Sequence, residues 1–152
     1  MADSERKKKL QGLLERHKLK NKGKETSVLF DECVVALGSD VIVLDEESSK
    51  AIYKTFEQEF KITSYGRIEW DFYEGDENID EETFKNRYAN EERKGYLLWS
   101  HGSDPILEAK MNQIIRNLDD VKAVSPDVWI YQENRQIIEI FHDGTIRVLN
   151  KM

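Results

Sequence analysis

"DVWIYQENRQIIEIFHDGTIRVLN", residues 127–150, holds three short runs rich in β-branched and aromatic residues: "DVWIYQ", "QIIEIF" and "TIRVLN". Side chains of this kind suit the pleated surface of a sheet. The connections between the runs leave room only for reversals. "ENR" separates the first two, and "HDG" the last two, where Asp143 and Gly144 suit the positive backbone angles of a tight hairpin. The chain is therefore expected to end in a three-stranded antiparallel meander. Alternation alone does not say which face turns inward. The core candidates stay paired as Val128 or Trp129, Ile138 or Ile140, and Ile146 or Val148. Glu139, with apolar neighbours on both sides, is expected on the wet face of its strand.

Working upstream, "SDPILEAKMNQIIRNL" reads as the clearest helix in the chain. Asp104 caps it, Pro105 takes the first helical position, and Leu107, Met111, Ile114, Ile115 and Leu118 form one stripe facing the sheet. "GYLLWSHG" and "RIEWDFY" read as two more strands, the second alternating Ile68, Trp70 and Phe72 against Glu69, Asp71 and Tyr73. Residues 75–94 between them form an excursion with a helix around "EETFKNRYANEE", Phe84 and Tyr88 facing inward at i, i+4 spacing. Nearer the N-terminus, Thr26 is an acceptable cap for a helix burying Val28, Leu29, Cys33, Val34 and Leu37 and ending at Gly38. "VIVL" at 41–44 is a short strand or buried connection, and Asp45 caps a helix whose apolar face is Ile52, Tyr53, Phe56 and Phe60. A thin stripe of Leu10, Leu13, Leu14 and His17 predicts a first helix near residues 3–20, closed by Gly23.

The resulting fold class is α+β: an antiparallel sheet of about five strands ending in the meander, with helices packed mainly on one face. Residues 1–24 form a basic N-terminal helix or arm, and residues 25–152 a single domain. With 152 residues, six Phe, six Tyr and three Trp, the chain has enough bulky apolar area to close one core. The lone cysteine, Cys33, excludes an intrachain disulfide, and no apolar run suits a membrane span or a signal peptide. A cytoplasmic location is expected.

Charge is unevenly spread. Residues 1–24 carry nine Lys or Arg against three acids, whereas the rest of the chain carries fourteen against twenty-seven, a net of −13. A body that acidic repels phosphate backbones and attracts basic proteins. The acids are densest in "EGDENIDEE", residues 74–82. Asp76, Asn78 and Asp80 fit the opening of a calcium loop, but Glu81 stands where glycine is needed and Arg87 where the bidentate glutamate belongs. The alternatives are a solvated connection or a docking surface for a cationic protein. We take Tyr73, Glu74, Asp76, Glu77, Asp80, Glu81, Glu82 and Tyr88 as candidate partner-binding residues, the two tyrosines serving as anchors.

Signs of chemistry are sparse. His17, His101 and His142 have no ligand spacing with one another or with Cys33, and no Gly-rich phosphate loop or nucleophile elbow occurs. No metal or cofactor is expected. Ser100-His101, and Glu139 with His142 and Asp143, are the clusters a small hydrolase would use. A nucleic-acid-binding regulator would instead use Arg6, Lys7, Lys8, Lys9, Lys18, Lys20, Lys22 and Lys24.

Residues 118–150, "LDDVKAVSPDVWIYQENRQIIEIFHDGTIRVLN", with "YGRIEWDF" upstream, resemble the C-terminal part of small bacterial immunity proteins of contact-dependent inhibition and related polymorphic toxin systems. The shared pattern is an Asp-Val lead into a Trp-bearing strand, an Ile-Glu strand and a His-Asp-Gly turn. It spans about a quarter of the chain and carries no catalytic signature. The resemblance implies a protein that binds and neutralises a cognate toxin domain, often a nuclease, and transfers no binding residue. Charge points to the same class of partner, because an acidic inhibitor gains encounter rate against a basic toxin. Nucleic acid and membrane are disfavoured as partners, and the oligomeric state is left open.

Overall fold

A computed structural model describes residues 26–64, 66–100, 104–133 and 135–150. Its centre is a seven-stranded sheet, ordered β1-β4-β3-β5-β6-β7-β2, in which every neighbouring pair is antiparallel. The strands are β1 (Ile42–Val43), β2 (Glu77–Ile79), β3 (Lys94–Trp99), β4 (Leu107–Lys110), β5 (Val128–Gln132), β6 (Gln136–Ile140) and β7 (Ile146–Asn150). The terminal meander forms as expected, with Ile130 opposite Ile138 and Ile138 opposite Val148. Gly144 has φ 94° in the last hairpin, the conformation its lack of a side chain permits.

Five α-helices accompany the sheet among the described residues: α1 (Val28–Leu37), α2 (Glu46–Glu59), α3 (Glu81–Tyr88), α4 (Met111–Arg116) and α5 (Leu118–Val124). Four of them share one core with one sheet face, where Phe30, Leu37, Phe84, Ile114 and Val121 meet Val128, Ile130, Ile138, Ile140, Ile146 and Val148. The opposite face is also covered. There α2 and the segment that follows it bring Phe56, Phe60, Ile68 and Trp70 onto Leu98, Trp129, Tyr131 and Ile137. Because both faces are buried, every residue of β5 and β6 is inaccessible; Val128 and Trp129 are core on opposite faces, while Ile138, Ile140, Ile146 and Val148 all belong to the first core.

Several expectations change for physical reasons. The helix predicted from Pro105 to Leu118 is strand β4 followed by two short helices. Leu107 and Ala109 are buried at period two before the helical spacing of Met111, Ile114, Ile115 and Leu118 begins, so two periodicities had merged into one stripe. The packing itself is as expected: Leu107, Met111, Ile114 and Leu118 lie in one core with Val128, Ile138 and Val148. Asp104 caps no helix of its own. It accepts hydrogen bonds from Ser27 N (2.9 Å) and Ser27 Oγ (2.7 Å), and so anchors the start of α1 from 77 residues away. Ser27, not Thr26, caps α1, and Val28 and Leu29 stand on its exposed side. Asp45 caps α2 through Ser48 N at 2.6 Å, as expected.

"RIEWDFY" is the second departure. It holds a single bridge, Ile68 to Ile62, and then a 3₁₀ turn over Trp70–Phe72. The strands not expected from the sequence are β4, which lies between β1 and β3, and β2, which forms one edge of the sheet.

Cys33 is fully buried in the larger core, as expected. Burial, with the charge of Asp120 adding to it, pushes its thiol up to about 12. At pH 8 the folded protein should therefore react with thiol reagents only slowly, and fast and completely once unfolded in urea. Rapid modification of the folded protein would contradict the placement of α1.

Candidate partner-binding surface

The acidic run is a turn, an edge strand and a helix start. Gly75 turns the chain at φ 87°, and β2 then pairs with β7 through Glu77 and Val148, Asn78 and Arg147, and Ile79 and Ile146. Asp80 caps α3 by accepting from Thr83 N at 2.7 Å. Its hydrogen bonds to the Thr83 side chain and backbone hold its carboxyl below the usual aspartate value.

The carboxylates divide among separate partners instead of converging. Asp76 meets Arg147 at 3.3 Å, Glu77 is held by both terminal nitrogens of Arg87 at 3.3 and 3.2 Å, and Glu81 pairs with Lys122 at 3.1 Å. Glu74 and Glu82 are exposed and make no ion pair among the described residues. The surface thus has an inner set of carboxylates that pin the edge strand and helix, and an outer set that faces solvent.

The two candidate tyrosine anchors fare differently. Tyr88 is 5% exposed; its ring packs edge-on against Phe84 and its hydroxyl donates to Gln136 Oε1 at 2.9 Å. It is a core residue, placed there by the same i, i+4 spacing that predicted α3, and is withdrawn from the surface. Tyr73 is half-buried against Phe60 and Trp70, and its hydroxyl accepts from Lys61 N at 2.9 Å. Among the described residues, the aromatic that does reach solvent is Phe72, at 61% exposure. Alternation set Phe72 on the same side of a strand as Ile68 and Trp70, but in place of the strand a 3₁₀ turn buries Trp70 and leaves Phe72 outside.

Of the residues considered for hydrolysis, Glu139 is taken up by partners of its own, whereas His142 and Ser100 both bond to Asp127. Glu139 is not on a wet face but 1% exposed, and its carboxylate is saturated. Oε1 accepts from Arg67 Nε (3.0 Å) and Trp70 Nε1 (2.9 Å), while Oε2 accepts from Ile68 N (2.8 Å) and Trp129 Nε1 (3.0 Å). This cluster draws residues 67–70 across the sheet face and explains why they do not join a ladder. His142 bonds instead to Asp127, with Nδ1 3.1 Å and backbone N 2.9 Å from Oδ1. Ser100 Oγ donates to the backbone oxygen of Asp127 at 2.9 Å. A polar cleft of about 590 Å³ opens beside Arg87, Glu91, Arg93 and Arg135, and neither Glu139 nor His142 lines it. His17, His101 and the basic arm of residues 1–24 lie outside the described residues.

A family model described as "CdiI immunity protein EcoliA0-like" matches residues 27–149. The chain belongs to this family. The match spans nearly all of the described domain, including both sheet edges and the acidic run. No curated protein matches the chain.

Membership in the CdiI immunity family implies that the chain binds and neutralises a cognate toxin. For a CdiI immunity protein, the surface that matters is one that meets another protein. Among the described residues, no helix is long and apolar enough to cross a membrane.

Proposed function

We propose that this chain neutralises its toxin by stoichiometric binding in the cytoplasm of the producing cell, without turnover, and that the surface of residues 74–82 attracts a basic toxin domain such as a nuclease. The observation that carries the reading is the density of carboxylates along β2 and the start of α3, on a body whose charge from residue 25 onward is −13. Electrostatic complementarity acts mainly on the encounter rate, and the buried contacts formed afterwards set the lifetime of the complex. Glu139 is sealed by four donors, and His142 faces Asp127; among the described residues neither lines the clefts beside Arg87 and Arg135 or beside Arg67 and Trp70.

The structure directs the choice of test. Asp76, Glu77, Asp80 and Glu81 have partners in the fold, so reversing them would mix docking with stability. Glu74→Lys with Glu82→Lys alters only the outer set. This double variant should keep its unfolding midpoint. Its association with the toxin domain encoded by the neighbouring reading frame should slow by roughly three- to tenfold at low salt, and the difference should shrink as salt screens the field. An association rate equal to wild type at every salt concentration would show that these acids are only solvated surface. The wild-type complex should form one to one, and co-expression should protect cells from that toxin and from no unrelated one.

A further inference from the structure

We propose that Phe72 is the apolar anchor of the docking surface, seated in an apolar pocket of the toxin domain whose rim carries lysine or arginine. This rests on the toxin-binding reading above and adds to it a residue that controls dissociation.

Single exposed hydrophobic residues are ordinary on protein surfaces. Phe72 differs in how firmly it is presented. Glu69 N donates to Lys61 O at 2.8 Å, Phe72 N to Glu69 O at 3.1 Å and Tyr73 N to Trp70 O at 2.9 Å, so the segment closes on itself. Beneath it, the four donors on Glu139 fix Arg67, Ile68 and Trp70 to the sheet. A buried carboxylate of this kind offers little net stability over a well-packed apolar residue; what it supplies is a fixed geometry. The geometry fixed here holds the turn whose tip is Phe72. A side chain presented by a rigid backbone loses little freedom on binding, which is how aromatic anchors come to dominate interface energetics.

Charge selects the partner. Asp71 and Glu74 are exposed on either side of Phe72, and Glu69 is partly exposed. Lys61 Nζ lies 4.0 Å from the ring centroid and 4.0 Å from Glu69, so the ring already accepts a cation on one face. The exposed acids that neighbour Phe72 in the chain complement an apolar pocket edged by cations, and would be repelled from an acidic surface. The outer carboxylates and Phe72 thus divide the work, the charges speeding encounter and the ring prolonging the complex.

The experiment compares full-length wild type with Phe72→Ala, Phe72→Tyr and the Glu74→Lys/Glu82→Lys double variant, in stopped-flow or surface-binding kinetics against the neighbouring toxin domain. Phe72→Ala should dissociate at least thirtyfold faster, with an association rate within about threefold of wild type and an unchanged unfolding midpoint. Phe72→Tyr should recover most of the lifetime. Alanine binding within threefold of wild type would overturn the anchor while leaving the toxin-binding function in place. Failure of the wild-type protein to bind the toxin domain would overturn both. Sedimentation decides a third outcome: a dimer of wild type that Phe72→Ala abolishes, with toxin affinity unchanged, would assign Phe72 to self-association and overturn the proposal.

Discussion

Replacing Glu139 with glutamine is expected to destabilise the protein by about 3–5 kcal/mol, the range for breaking a buried charged pair. The substitution is nearly isosteric, so the loss would not come from volume. Each carboxylate oxygen of Glu139 accepts two hydrogen bonds, and glutamine keeps one oxygen while turning an NH2 group toward the other pair of donors. Whichever way the amide lies, two buried or partly buried N–H groups lose their acceptor and meet another donor. Each such loss costs about 1–3 kcal/mol, and Arg67 also loses its counter-charge. Urea unfolding followed by tryptophan fluorescence measures the total, and hydrogen exchange at Ile68 N locates it. A loss below about 1 kcal/mol, small on the scale of buried-pair disruption, would mean that the cluster does not hold the segment. The same argument bears on any test of catalysis that uses glutamine at this position, because lost protection would follow from a damaged fold.

Glu139 also marks where sequence reasoning stopped. The meander was legible because its strands are dense in Val, Ile, Trp and Tyr and its turns are short and polar. The assumption that failed was that such a sheet has one wet face. Ile137, Glu139 and Trp129 lie on the face covered by α2 with Phe60, Ile68 and Trp70, and no local pattern around Glu139 announces donors that arrive from 69 to 72 residues away. Strand β2 was hidden for a similar reason: "ENI" has no alternation to read, and its extended state comes from pairing with β7 across the chain. On the candidate surface, the acidic run itself was plain from composition. Its anchors were not, since Tyr88 belongs to the core and Phe72 was placed beside Ile68 and Trp70 on one side of a strand that does not form.

Phe56→Ala is the second large effect, expected at about 3–5 kcal/mol, the range for truncating a buried aromatic. Phe56 is fully buried and sits 4.8 Å from the Trp129 ring, 5.3 Å from Phe60 and 5.7 Å from Tyr131, so its removal opens the middle of the second core. Were α2 only loosely laid on the sheet, the neighbours would relax and the loss would stay near 1 kcal/mol, well under that range for a buried aromatic. Combination with Glu139→Gln separates these cases. Trp129 packs its ring on Phe56 and donates its Nε1 to Glu139, so both substitutions release the same side chain. The double variant should therefore lose less than the sum of the single losses, by about 1 kcal/mol or more, as expected for residues that share a partner. Strict additivity in urea unfolding would show that the second core and the Glu139 cluster stand independently. The turn presenting Phe72 would then be held by its own local hydrogen bonds and not by the sheet beneath it.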